Sequence, residues 1–236
     1  MSKPKISVIS AVSRGADIVD QLVNDFRNQI FKNFEHILVY DGKPPKEVED
    51  IIENIADDRF HFFSIEKDPG NMKVAPGTRP RNTGIKVARG EYVCFFDDDD
   101  RARDNYLLGL VEGAEENTIN CVQMSCQESR MYRDGDPNHF HLIPEIGLPF
   151  FPIVCHVGTP CFMVRREWAL DLPWQEEPEH DYRFIKRICD KYKPSVNIKG
   201  GMRVDVGGLI IRGMGDWVSK PPFFRNENYW PFPKEN

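Results

Sequence analysis

Residues 81–100 read RNTGIKVARGEYVCFFDDDD, from Arg81 through Asp100, and this stretch decides the fold. Arg81 to Ala88 is expected as a short helix, with Gly90 as its C-terminal stop. Tyr92 to Phe96 (YVCFF) is apolar throughout, which predicts a strand buried on both faces in the middle of a parallel sheet. It runs straight into Asp97-Asp98-Asp99-Asp100. Four adjacent carboxylates repel one another, and something positive must offset them. A hard divalent cation such as Mg²⁺ or Mn²⁺ suits oxygen ligands. The plainer alternative is a solvated acidic turn with one Asp capping the next helix.

Upstream, strand-like and helix-like segments alternate. Lys5 to Val12 (KISVISAV) is β-rich and ends in the loop Ser13-Arg14-Gly15. Ile18, Val19, Leu22, Val23, Phe26 and Ile30 recur at helical spacing, with Asp17 in the first turn. His36 to Tyr40 (HILVY) is a buried strand stopped by Asp41-Gly42. Pro44-Pro45 opens a second helix with Val48, Ile51, Ile52 and Ile55 on one face. Phe60 to Ile65 is a third strand, and Asp68 to Pro80 a Gly/Pro-rich loop. After the aspartates a helix carries Leu107, Leu108, Val111 and Ala114. This β-α-β-α-β-α-β order predicts a mostly parallel sheet with helices on both faces. Such sheets bind ligands at the carboxyl ends of their strands. Ser13 to Gly15, Asp41-Gly42 and Asp97 to Asp100 all lie at such ends.

The second half is less regular. Cys121 to Cys126 and His139 to Ile143 read as strands around a turn at Asp134-Gly135-Asp136-Pro137. Thr159 to Val164 reads as a buried strand followed by a short helix from Arg165, and a longer helix spans Pro178 to Tyr192. Ser195 to Ile198 and Met202 to Ile211 are β-rich. The tail from Trp217, rich in Pro and aromatics, is expected to lie over the surface. The organisation expected is one compact domain with a regular half (1–116), a less regular half (117–212) and a tail (213–236). No internal repeat is visible.

Composition narrows the function classes. The 236 residues carry 31 Lys plus Arg against 37 Asp plus Glu, a formal charge of -6. That argues against nucleic acid, or an anionic membrane, held by bulk charge. No run of about 18 apolar residues predicts a transmembrane helix, and Met1 to Val12 lacks a signal-peptide pattern. Peripheral membrane association stays open, and oligomeric state is not read. None of the six cysteines forms a C-x-x-C pair, so reduced thiols and a cytoplasmic protein are expected.

Several residues carry candidate chemistry. Arg79 and Arg81, with Asn82, suit a clamp on a phosphate or carboxylate, or a loop that pairs with the chain's own acids. Asp41 offers a carboxylate to a base or ribose, or is a turn residue. Glu179-His180-Asp181 opens the late helix, where the dipole keeps a carboxylate ionised. Helix capping is the plain alternative. His139 and His141 share a strand face but have no third zinc ligand nearby. No G-x-S-x-G, G-x-x-x-x-G-K-[ST] or G-x-G-x-x-G is present.

The run from Arg81 to Asp100 resembles the family 2 glycosyltransferases of the GT-A fold, whose pattern is approximately A-R-N-x-G-I-x-x-A-x-G-E-Y-I-x-F-L-D-x-D-D. Lys5 to Val12 resembles that family's first strand and Ile37 to Gly42 its second. Gly158 to Trp168 and His180-Asp181-Tyr182 are similar to its acceptor-side strand, R-R-E and E-D-Y motifs. The resemblance covers Lys5 to Lys193 and implies one catalytic domain in which 1–116 is the nucleotide-sugar-binding half and 117–212 the acceptor-binding half. It implies a GT-A type α/β fold, with a Rossmann-like, mostly parallel central sheet flanked by helices and a smaller mixed acceptor-side region.

It further implies an inverting transfer from a nucleotide-diphosphate sugar, a UDP-sugar by preference, to a carbohydrate or glycolipid hydroxyl. Asp97 and Asp99 would form the D-x-D element, with Asp99 the direct ligand of Mn²⁺ or Mg²⁺. Ala11 and Val12 stand where the family has Pro-Thr. With Arg14, Asp41, Arg79, Arg81, Asn82, Asp97 and Asp98 they would form the donor side. Asp181 would be the general base, with Glu179 the runner-up. Two alternatives stand beside it, the first resting on Gly77-Thr78-Arg79, which is similar to the G-T-R of nucleotidyltransferases but lies mid-chain rather than after the first strand. One is a sugar-nucleotide nucleotidyltransferase, which would release pyrophosphate. The other is a non-catalytic sugar- or metal-binding module.

Overall fold

A computed structural model describes residues 3–67, 75, 77–127, 140–144, 151–152, 157–199 and 210–212. Its main sheet contains β1 (Ile6–Val12), β2 (Phe34–Asp41), β3 (Phe60–Ile65), β4 (Tyr92–Phe95), β6 (Thr118–Val122), β9 (Phe162–Arg165) and β10 (Ser195–Lys199). Their spatial order is β10-β6-β9-β4-β1-β2-β3, so the apolar strand β4 is the central one. The β1–β2, β2–β3 and β1–β4 pairs are parallel. β9 runs antiparallel between β4 and β6, which makes the sheet mixed.

A smaller sheet has the order β5-β11-β7-β8, from β5 (Asp100–Ala102), β11 (Ile210–Arg212), β7 (Met124–Gln127) and β8 (Phe140–Ile143). The helices are α1 (Ala16–Arg27), α2 (Lys46–Glu53), α3 (Thr78–Val87), α4 (Tyr106–Val111), α5 (Arg166–Asp171) and α6 (His180–Tyr192).

The core follows from the sequence pattern. Ile6, Val8, Ile9 and Val12 of β1, Ile37 to Val39 of β2, Tyr92 to Phe95 of β4 and Val19, Leu22 and Phe26 of α1 are buried in one hydrophobic core. On the other side of the chain's middle, Phe95, Phe162, Trp174 and Phe184 form an aromatic stack, with Trp174 and Phe184 parallel at 4.2 Å. That stack fastens α6 to the central strand.

Several boundaries differ from the sequence reading. α3 starts at Thr78 rather than Arg81, because Pro80 falls in the first turn, where no N–H is needed. It ends at Val87, so Gly90 is not its stop. Gly90 is needed for close approach instead: a Cβ there would lie 2.6 Å from the Ser7 nitrogen. α1 ends at Arg27, which leaves Ile30 outside it and 55% exposed. α4 stops at Val111, short of Ala114. Cys121 to Cys126 is two strands, β6 and β7, in different sheets. Pro160 turns Thr159–Cys161 into a 3-10 turn, so the strand begins at Phe162. The short strand β5, which contains Asp100, was not expected from the sequence. His139, Cys155, His156, the 134–137 turn and the tail lie outside the described residues.

Candidate active site

The carboxyl end of β4 delivers the four aspartates, and their side chains divide. Ligand oxygens of Asp97, Asp99 and Asp100 all lie within 4.8 Å of one another. Asp98 turns toward the β1–α1 loop. It accepts the Ser13 backbone N–H at Oδ2 (2.9 Å) and Arg14 Nε at Oδ1 (3.2 Å). Arg14 spans two acids, since its Nη2 also donates to Asp99 Oδ2 at 3.0 Å. From the other side Arg81 Nη2 donates to Asp97 Oδ1 at 2.5 Å. Two guanidinium groups therefore grip the acid edge, as its mutual repulsion requires. Burial, reinforced by the charges of Asp99 and Asp97, pushes the Asp98 carboxyl up to about 6.

The loop geometry explains how distant residues meet here. Gly77 precedes α3 with φ +81, and a Cβ there would lie 3.1 Å from both Ala11 Cβ and Arg81 Cζ. Its missing side chain lets the start of α3 close on the end of β1. Tyr40 Oη, at the end of β2, donates to the Arg14 carbonyl at 3.3 Å. The neighbouring Asp41 keeps a buried Oδ1 with no hydrogen-bond partner among the described residues. Such an oxygen costs about 1–3 kcal/mol unless a donor reaches it. Val12 is fully buried and contributes to the core, whereas Arg79 is exposed on the first turn of α3.

A second line of contacts leads to the late helix. The Asn82 side chain grips the Trp174 backbone twice: Nδ2 donates to the carbonyl and the Trp174 N–H donates to Oδ1, both at 2.9 Å. The Arg81 guanidinium lies 4.9 Å from the Trp174 ring centroid, and the His180 ring lies 5.7 Å from it on a tilted face. Asp97, Arg81, Trp174 and His180 thus form a continuous series that ends beside Asp181. Asp181 sits in the first turn of α6, where its Oδ1 accepts the Tyr182 N–H at 2.8 Å. Glu179 precedes the helix with φ 54, an uncommon conformation for a non-glycine residue. Its carboxylate stands 3.8 Å from Arg183.

The structure therefore joins Ala11, Arg14, Arg81, Asp97, Asp98 and Asp99, and links Asn82 to the helix of Asp181. Sequence alone puts Asp100 in the acidic run but does not assign it, with Asp97 and Asp99, to the converging set. The Tyr40 and Trp174 links have no local signal, because each depends on a partner far away in the chain.

A family model for glycosyl transferase family 2 matches residues 7–172. The chain belongs to that family. An uncharacterized glycosyltransferase of Methanocaldococcus jannaschii is 26% identical over 82% of this chain and 68% of its own length. A GalNAc(5)-diNAcBac-PP-undecaprenol beta-1,3-glucosyltransferase of Campylobacter jejuni is 31% identical over 48% of this chain, but only 35% of that enzyme. The chain spans about a third of the length of the first such relatives. Among solved structures, S. aureus TarS 1-349 in complex with UDP superposes with a TM-score of 0.63 at 18% identity, covering 88% of this chain and 60% of that TarS 1-349 chain. A Pyrobaculum calidifontis mannosyltransferase in complex with GDP-Man and Mn²⁺ gives 0.62 at 14% identity, covering 92% and 59%. These likenesses establish a GT-A type fold.

Proposed function

We propose that the chain moves a sugar from a nucleotide-diphosphate sugar, of the UDP class, to a hydroxyl of a carbohydrate or glycolipid with inversion at the anomeric carbon. The observation that carries this is the acid edge: three carboxylates converge at the carboxyl end of the central strand, flanked by Arg14 and Arg81. Solved neighbours hold UDP, UDP-GlcNAc and GDP-Man with Mn²⁺, which supports a nucleotide sugar as donor.

The donor set at the edge is all hard oxygen, which fits Mn²⁺ or Mg²⁺. Asp97 and Asp99 would hold such an ion, which would supply positive charge to offset that of a departing diphosphate. Asp41 offers its unpartnered oxygen to the base or ribose. Arg14 and Arg81 orient the acids and present guanidinium N–H groups to phosphate oxygens. Asp181 accepts the proton of the acceptor hydroxyl as that oxygen attacks the anomeric carbon and the bond to diphosphate breaks. The thiols of Cys94, Cys121 and Cys189 form no disulfide among the described residues, in keeping with a reducing, cytoplasmic site of action. Among the described residues no helix is long and apolar enough to cross a membrane.

The test is thermal unfolding with UDP, GDP and their sugars, with and without Mn²⁺, followed by product analysis. A ligand that binds only the native state at a hundred times its Kd adds about 2.7 kcal/mol. We expect stabilisation by a nucleoside diphosphate that needs Mn²⁺, and release of that diphosphate on turnover. Release of pyrophosphate, or no stabilisation by any nucleotide, would reject the assignment.

A further inference from the structure

The acid edge is gripped from a third side, by a residue far from the donor surface. Asp25 lies on α1, 8% exposed, and uses both carboxylate oxygens on the chain just beyond the aspartates. Arg101 donates to it twice, Nη2 to Oδ1 and Nε to Oδ2, each at 2.8 Å. The Ala102 backbone N–H adds a third bond to Oδ2 at 3.0 Å. One turn further along, fully buried Gln29 donates to the Arg103 carbonyl at 2.5 Å and accepts the Leu107 N–H at 2.9 Å. The Ile30 N–H reaches the Asp104 carbonyl at 2.7 Å. Six hydrogen bonds thus fix residues 101–107 to the end of α1.

The strand so fixed, β5, begins at Asp100, a member of the acid cluster. Three residues are a short strand, and the sheet partner β11 matches it over only three pairs. Octahedral coordination by Mg²⁺ or Mn²⁺ tolerates little displacement of its carboxylates. What keeps Asp99 and Asp100 from spreading apart under their own repulsion must act on the chain that follows them. The bidentate fork between Arg101 and Asp25 is the strongest such contact, because it is charge-assisted and half enclosed.

We propose that Asp25, through Arg101, is a positioning residue that sets the spacing of the metal-binding carboxylates. The inference rests on the functional reading above, in that it takes the acid edge to bind a divalent cation. Its test is a titration of the full chain with Mn²⁺, alone and with UDP, followed by EPR of free Mn²⁺ at a temperature where every variant is folded. Loss of a group that orients metal ligands weakens affinity about tenfold or more. We expect that loss in Asp25→Asn and in Arg101→Lys, which keeps the charge but not the fork. Asp20→Asn, on the same helix, should leave the affinity as it is. If both test variants fold and bind Mn²⁺ like the unaltered chain, the proposal is overturned. If only Asp25→Asn weakens binding, the effect is through-space charge and the positioning role is equally overturned. If the unaltered chain binds no Mn²⁺ under either condition, the metal reading itself fails, and that result is distinct from the other two. Should Asp25→Asn not fold, Arg101→Lys alone decides.

Discussion

Lowering the pH from 7.5 to 5 should destabilise the chain through one buried imidazole. His36 of β2 is fully buried between the rings of Phe26 and Phe60, at 4.2 and 5.5 Å. Its Nε2 shares a hydrogen with Ser10 Oγ at 2.9 Å, and Nδ1 has no hydrogen-bond partner among the described residues. Burial pulls its pKa from 6.5 down to about 3. The unfolded chain therefore takes up a proton below pH 6.5 that the folded chain refuses until about pH 3. Stability falls as pH drops through that window. At 1.36 kcal/mol per pH unit the loss is about 2 kcal/mol at pH 5 and about 5 kcal/mol once both states are protonated. Asp98 works the other way: its folded pKa, raised to about 6, favours the folded state as pH falls toward 4. A single pH series would mix the two.

The clean comparison is the unaltered chain against His36→Gln, which keeps an amide for Ser10 and removes the titration while leaving Asp98 in both. Urea unfolding at pH 7.5 and pH 5 should show the unaltered chain losing about 2 kcal/mol more than the variant over that interval. Equal losses would refute the argument that the imidazole is held neutral by burial.

Three further outcomes follow from the site and its scaffold. Asp99→Ala and Asp181→Ala should each abolish transfer, and only Asp99→Ala should weaken donor binding by calorimetry, since Asp181 faces the acceptor in this account. Gly90→Ala would put a Cβ 2.6 Å from the Ser7 nitrogen, so urea unfolding should show a loss of about 1–3 kcal/mol. Asn82→Ala removes the two bonds at 2.9 Å to the Trp174 backbone, and should lower kcat through α6 while the Kd for UDP with Mn²⁺ changes little.

Much of the site was legible because its parts are written locally. YVCFF followed by four aspartates states both a buried central strand and an acid edge at its end, and β4 is indeed central. The alternation upstream carries β1 to α3 with errors of a few residues. What escaped is what local pattern cannot encode. The clamp of Asn82 on Trp174 spans 92 residues, and that of Asp25 on Arg101 spans 76. Gly90 looks like a helix stop in sequence, yet its value lies in the approach of β1, visible only after the strands pair. Which aspartates converge and which one turns to the Ser13 N–H is set by partners on the β1–α1 loop and on α3. The antiparallel entry of β9 into a parallel sheet likewise depends on a long return of the chain.

The most direct measurement is a crystal structure with UDP and Mn²⁺, read by the anomalous signal of manganese. The predicted map has the manganese peak between the carboxylates of Asp97 and Asp99, with the diphosphate against it and the base toward Asp41. A diphosphate bound elsewhere on the sheet, or manganese seated away from those aspartates, would contradict the account.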